Sequence, residues 1–237
     1  MTKLSVNINK VALVRNARGG NNPNVKQVAL DLVGFGADGI TVHPRPDERH
    51  IRRSDVYELP QVLDVEFNVE GFPSPDFLAM IEEVKPAQCT LVPDPPEALT
   101  SNAGWDTKTH KHFLLEIIQR IQAAGVRASI FVEPSFEIIE AAREIGTDRI
   151  ELYTEPYAEG FAKGNHDAVM PFARAAAFAH EIGLEVNAGH DLNLDNLTYF
   201  AQQVPHLAEV SIGHALVCDA MYLGFEETVK RYLACLS

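Results

Sequence analysis

Two patterns alternate along this chain. Longer stretches with apolar residues at helical spacing are followed by short runs of β-branched and aliphatic residues. Polar turns containing glycine join them: Gly36-Ala-Asp-Gly before Ile40, Gly125-Val-Arg before Ala128, Gly146-Thr-Asp-Arg before Ile150 and Gly183-Leu-Glu before Val186. Glycine readily takes the left-handed conformation that closes a helix, so each marks a helix-to-strand turn. The short runs predict strands at 4–8, 39–43, 65–69, 88–92, 127–132, 149–153, 185–188 and 209–212. The longer stretches predict helices near 24–34, 54–63, 75–84, 107–124, 135–145, 167–182, 195–203 and 226–236. Strands alternating with helices make parallel βαβ units. Eight of each, with no linker, predict one domain over residues 1–237, a (β/α)8 TIM barrel. The alternative, an open doubly wound sheet, lacks a glycine-rich dinucleotide fingerprint after its first strand.

Several strands are polar on the face opposite their aliphatics: Ser5, Asn7 and Asn9; Thr41 and His43; Glu66, Asn68 and Glu70; Glu151 and Tyr153. Inward and outward positions alternate in a barrel, so these residues point into the lumen. An unpaired buried polar group costs a few kcal/mol, and a hydrogen-bonded structural layer would account for Asn7 or Asn68. It accounts less well for His43, Glu70 and Glu151, which fall at the carboxyl ends of strands, where barrel active sites are built.

Composition narrows the function. Apolar residues make up 46% of the chain, enough for a sizeable core, and no apolar run is long enough to span a bilayer. The start shows no signal-like pattern, and Cys89, Cys218 and Cys235 lack metal or disulfide spacing, so the expectation is a cytoplasmic protein. A formal charge of −13 argues against nucleic acid as a partner. An acidic protein that binds phosphates must gather positive charge locally. The loop after His43 does so, with Arg45, Arg49 and His50 behind Pro44 and Pro46, and Arg52 and Arg53 just beyond. Guanidinium groups meet phosphate with paired hydrogen bonds. The plainer alternative is a solvated basic loop.

The other strand ends bring Asn7 and Asn9, Glu70, Pro93-Asp94, Glu133, Glu151, Gly189-His190-Asp191 and Gly213-His214 to the same rim. Two histidines and two glutamates form a general acid/base set. Ile212-Gly-His-Ala-Leu leads straight into a helix start, as in barrel loops that cradle phosphate on backbone N–H groups. A catalytic metal fits poorly, because His110 and His112, two apart at a helix start, diverge. A lysine aldolase would need a desolvated lysine on a strand end, whereas the sixth strand carries Glu151 and Lys10 lies just past the first. Ser135 reads as a helix N-cap. Trp105 and Asn102-Ala-Gly104 fall in a loop expected to be mobile, where Thr100 could contact a ligand and Gly104 could hinge a lid.

Val6-Asn-Ile-Asn-Lys-Val-Ala12, Arg15-Asn-Ala-Arg-Gly19 and Gly36-Ala-Asp-Gly-Ile-Thr-Val-His43 resemble the pyridoxine 5′-phosphate synthase family. So do Arg49-His-Ile51, Leu91-Val-Pro93, Val186-Asn-Ala-Gly-His190 and Ile212-Gly-His-Ala215, in the family's order. The resemblance implies a (β/α)8 barrel joining 1-deoxy-D-xylulose 5-phosphate to 3-amino-2-oxopropyl phosphate. Pyridoxine 5′-phosphate, phosphate and water would be the products, with no metal or organic cofactor. It implies His43 and Glu70 as proton acceptors, His190 as proton donor and Glu151 as a transition-state stabiliser. Asn7, Arg18, Asp191, Gly213 and His214 would hold the aminoketone phosphate; Asn9, Lys10, Arg45, His50 and Thr100 would hold the sugar phosphate. It also implies a homo-octamer built from dimers. The chain departs from the common motif at Asn9-Lys10, where many members have Asp-His, and at Asp191, where they have Gly. The second departure makes a backbone contact the expected one from position 191.

Overall fold

The strand alternation closes on itself. The computed structural model describes residues 1–94 and 103–237, and its eight parallel strands form a closed barrel in sequence order. They are β1 (Lys3–Asn7), β2 (Gly39–Val42), β3 (Glu66–Gly71), β4 (Gln88–Leu91), β5 (Arg127–Val132), β6 (Arg149–Leu152), β7 (Glu185–Gly189) and β8 (Leu207–Ile212). Around them run helices α1 (Asn9–Asn16), α2 (Val25–Gly34), α3 (Arg53–Glu58), α4 (Pro75–Val84), α5 (Lys111–Ala123) and α6 (Phe136–Glu144). The ring continues with α7 (Glu155–Ala162), α8 (Met170–Glu181), α9 (Leu197–Gln203), α10 (His214–Leu223) and α11 (Phe225–Cys235).

The outward strand residues, among them Leu4, Val6, Ile40, Val69, Ile130 and Ile150, are fully buried beneath the helices and form the apolar core with them. Asn24 and Ser74 begin α2 and α4 as side-chain caps, accepting from the N–H groups of Gln27 and Phe77.

Inward residues form a second, polar interior. The Ser5 and Thr41 hydroxyls share a 2.7 Å hydrogen bond, Asn68 donates to Thr41 at 3.3 Å, and Thr90 donates to Asn68 at 3.1 Å. Toward the amino ends of the strands, Arg127 pairs with Glu66 at 3.0 Å, and Arg149 donates to Gln88 at 3.0 Å while pairing with Glu185. The expected structural layer therefore includes Asn68, whereas Asn7 sits above it on the cavity wall.

The eight expected helices are present with shifted ends, and α1, α7 and α10 are additional. All three follow strands directly on the carboxyl-end rim. In α1 the buried residues are Val11, Ala12 and Arg15 while Leu13 and Val14 are exposed, so no apolar stripe announces a helix. Lys10 consequently lies in its first turn rather than in a loop. In α7, Pro156 occupies the helix start, and Gly160 makes room for Ala168.

Trp105 corrects the mobile-loop expectation. It is buried, stacks on Phe72, and its backbone N–H donates to the Phe131 carbonyl at 2.8 Å. A Cβ at Gly104 would lie 2.6 Å from the Val132 and Glu133 backbone, so this glycine serves close packing rather than a hinge. Thr100 and Asn102 lie outside the described residues.

One buried clamp fixes the basic loop. Arg15, 2% exposed, donates to both Asp55 oxygens at 2.6 and 2.9 Å and to the His50 carbonyl at 3.0 Å. Asn16 donates to the same carbonyl at 2.7 Å. Arg15→Met should lower unfolding free energy by roughly 3 kcal/mol, because it strands Asp55 without its cation. Urea denaturation measures this, and a loss below about 1 kcal/mol would show the clamp to be incidental.

Candidate active site

Above the polar layer the strand ends open into a cavity of about 680 Å³. Strand order sets its geometry. His43 and Glu70, from β2 and β3, stand across the barrel from Glu151 and His190, from β6 and β7. Between these pairs lie two unlike walls. One is apolar, made of Val92 and Phe131, which cluster with Tyr153. The other gathers Lys10, Arg45, Arg49 and His50 on one side of β1, and Gly213 and His214 at the start of α10 on the other.

A short relay of asparagines builds the β1–β3 side. Asn7 donates to Glu70 Oε2 at 3.3 Å and accepts the Asn9 N–H at 3.0 Å. Asn9 Oδ1 accepts the His43 N–H at 2.9 Å. Asn9 therefore orders the His43 backbone. Arg45 is buried against Asp94, at 3.1 Å, so it is not part of a solvated loop.

Burial decides the protonation states. It holds His43 well below the usual imidazole range, and the charges of Arg45, His50 and Arg49 push the same way. His50 falls to about 4, from burial and then the charges of Arg45, Lys10 and Arg49. Its Nδ1 accepts the Ile51 N–H at 2.9 Å, so the neutral ring carries its proton on Nε2. Burial raises Glu70 well above an ordinary glutamate, with Glu151, Asp94 and Glu209 adding to it and Arg45 opposing. Burial and Glu209 lift Glu151 to about 7. Burial pulls His190 down, but its hydrogen bond to Asp191 and the charges of Asp191, Glu151 and Asp94 outweigh that and raise it.

Glu151 Oε2 and Asn187 Oδ1 are buried acceptors with no hydrogen-bond partner among the described residues, and these two residues are register neighbours. A proton on Glu151 turns one acceptor into a donor, which agrees with its raised affinity for one. Two glycines let the β7–β8–β1 wall close. A Cβ at Gly189 would meet the Ser211 carbonyl, and one at Gly213 would lie 3.0 Å from Asn7 Cβ.

The cavity brings together Asn7, Asn9, Lys10, His43, Arg45, His50 and Glu70, and with them Glu151, His190, Asp191, Gly213 and His214. Arg18 is not among its lining residues and stands exposed beyond α1; Thr100 is outside the described residues. Arg52 and Arg53 point elsewhere, Arg53 lying over the Tyr57 ring. Sequence reading passed over Val92 and Phe131, although period-two alternation turns both inward, and over Asn193 and Ser211. Among the described residues no three potential ligands converge on a metal position, and no helix is long and apolar enough to cross a membrane.

The family model described as "Pyridoxal phosphate biosynthesis protein PdxJ" matches residues 4–237. The chain belongs to the PdxJ family. Within the sequences akin to it, the pyridoxine 5′-phosphate synthase of Bacteroides fragilis (strain YCH46) is 61% identical over 236 residues, covering 100% of both chains. That of Porphyromonas gingivalis is 59% identical over 232 residues, covering 98% of each. Solved structures at low identity share the barrel of this PdxJ member. A tryptophan synthase from M. tuberculosis matches with a TM-score of 0.67 at 13% identity, over 99% of this chain and 92% of that one. The phosphoribosylanthranilate isomerase of Thermotoga maritima gives 0.61 at 14%, over 100% and 98%. These likenesses bear on fold alone.

Carbon-13 NMR of labelled glutamate should show Glu151 gaining its proton as pH falls through about 7, well above the ~4.3 of a model glutamate. The signal is assigned by its loss in Glu151→Gln. Titration near the ordinary value would mean that the carboxyl is solvated.

Proposed function

We propose that this chain is a pyridoxine 5′-phosphate synthase that condenses 3-amino-2-oxopropyl phosphate with 1-deoxy-D-xylulose 5-phosphate in the cytoplasm. Pyridoxine 5′-phosphate, phosphate and water are released. The observation that carries this reading is the arrangement of the four walls. Phosphate-binding groups flank β1, an apolar surface faces them, and acid/base pairs of unlike protonation stand on the remaining two sides. A cavity of about 680 Å³ accommodates two small phosphorylated molecules.

The chemistry follows from the protonation states. Joining an amine to a carbonyl expels water, and closing and aromatising the ring expels water and phosphate again. Each step moves a proton and none changes oxidation level. Neutral His43 accepts protons near neutral pH, while His190, whose affinity for a proton is raised, donates to a departing oxygen. Glu70, whose affinity for a proton burial raises, acts as an acceptor when ionised. Glu151, poised near 7, as a carboxylate stabilises positive charge on a carbon–nitrogen intermediate. The sugar phosphate lies against Lys10, Arg45, Arg49 and His50. The aminoketone phosphate lies against Asn7 and the first turn of α10, whose N–H groups have no acceptor within the helix. Arg18, exposed beyond α1, is not among the residues that line the cavity. The exposed apolar side chains Leu13, Val14, Met221 and Tyr222 on α1 and α10 support assembly into oligomers, as the expected octamer requires.

Incubating the purified chain with both substrates tests the reading. Pyridoxine 5′-phosphate, followed by its absorbance, and phosphate should appear in equal amounts. Absence of both products, with either substrate merely isomerised or cleaved, would replace the synthase by another phosphosugar enzyme. His43→Ala and Glu70→Gln should each lower kcat by at least about 10²-fold. Activity within a factor of a few of wild type would remove them from the mechanism. Lys10→Ala should raise KM for deoxyxylulose phosphate and largely spare kcat. An unchanged KM would return that side chain to solvent.

A further inference from the structure

We propose that Asp191 is a positioning residue that orients the His190 imidazole and holds it as a proton donor toward the cavity. This takes up the reading of His190 given above and assigns Asp191 a role other than the substrate contact expected of that position.

The geometry begins with the backbone. Consecutive side chains of an extended strand point to opposite faces. Here His190 has a φ of +58°, in the left-handed region, and the chain turns just where β7 ends. His190 and Asp191 thereby come onto one side, with Nδ1 and Oδ2 2.8 Å apart. That distance is typical of a charge-assisted hydrogen bond.

The Asp191 backbone is held from behind. The Asp191 N–H donates to the Gly189 carbonyl at 2.8 Å and to Thr154 Oγ1 at 3.3 Å. Its carbonyl accepts from Asn196 Nδ2 at 3.2 Å. Thr154 itself donates to the Gly189 carbonyl, so the turn is cross-braced to the segment after β6. With its N–H used inside the protein, position 191 has no backbone donor to offer a phosphate. Its carboxylate would repel one. The inference therefore gives Asp191 a role acting through His190 in place of a direct phosphate contact.

The tautomer follows. A carboxylate only accepts, so Nδ1 carries the proton and exchange with a molecule in the cavity runs through Nε2. Other groups also face the ring. Tyr153 and Glu151 approach from β6, the Tyr153 ring at 6.3 Å; Asp94 approaches from beyond β4; Glu70 shares the cavity with Arg45, Arg49 and Lys10. The Tyr153 hydroxyl is bonded to Glu155. Glu151 and Asp94 favour the imidazolium too, but Asp191 is the acidic group bonded to it. Because His190 and Asp191 are partly exposed, with side chains 34% and 28% accessible, screening reduces the effect below that of a buried pair.

Two isolated substitutions separate charge from shape. Asp191→Asn keeps an acceptor beside Nδ1 and removes the charge; Asp191→Gly removes both. Nitrogen-15 NMR of the free protein follows the His190 ring directly, its signal identified by loss in His190→Gln. In Asp191→Asn the His190 midpoint should fall by about 1 pH unit. The alkaline limb of the synthase activity should move down with it. At pH 8 this amounts to a loss of up to about tenfold that shrinks as the pH is lowered toward 6. Asp191→Gly should stay impaired across the whole range, because orientation is lost as well. A His190 midpoint unmoved by Asp191→Asn overturns the inference, as does equal impairment of the two variants at every pH. If the midpoint moves but His190→Gln retains turnover, His190 is not the donor. The pairing then stands, and its catalytic purpose is overturned.

Discussion

This barrel depends on one requirement: polar groups that the strands turn inward need partners inside the lumen. Among the described residues Ser129 Oγ, Asn187 Oδ1 and Glu151 Oε2 are left without one. Burying a hydroxyl, amide or charge without one costs a few kcal/mol. Ser5, Thr41, Asn68 and Thr90 meet the requirement by bonding to each other across three neighbouring strand pairs. The Arg127 and Arg149 groups do the same with Glu66, Gln88 and Glu185 at the amino ends. Apolar packing is left to the outward positions. Along β2, β3 and β6, neighbouring residues consequently have different duties: Val42 beside His43, Val69 beside Glu70, Ile150 beside Glu151.

Toward the carboxyl ends this pairing thins out, and chemistry becomes possible there. Glu70 retains Asn7 at 3.3 Å, and Glu151 Oε2 has no partner among the described residues. Burial with few partners is what moves their proton affinities toward neutrality. The same desolvation drives His43 in the opposite direction, because an imidazole is charged when protonated and a carboxyl is not. One physical effect thus gives acids and bases that coexist at one pH.

The barrel and most of its rim were legible in the sequence because their signals are local. Alternating Leu4, Val6 and Ile8 against Ser5 and Asn7 states which face is which, and Gly36, Gly125, Gly146 and Gly183 mark the helix ends. What escaped depends on distant contacts. Arg15 breaks the apolar pattern of α1 because its partner, Asp55, is on α3. Trp105 looked like part of a mobile loop because Phe72 and Phe113, which cover it, come from elsewhere in the chain. The bond between His190 and Asp191 rests on a backbone dihedral that no neighbouring residue announces. Arg18 shows the reverse case, since family resemblance assigned it to the site and the fold leaves it outside the cavity.

The close approach at Gly189 and Gly213 gives the cavity one wall of a different material. The two glycines carry no side chain of their own, so their peptide groups, packed against Ser211 and Asn7, form part of that surface. Peptide groups neither ionise in the working pH range nor change rotamer. In the proposed reaction an anion held by those peptide groups would keep these contacts while His43, Glu151 and His190 exchange protons beside it. The proposed reading thereby gives anchoring partly to groups of a different kind from those that exchange protons.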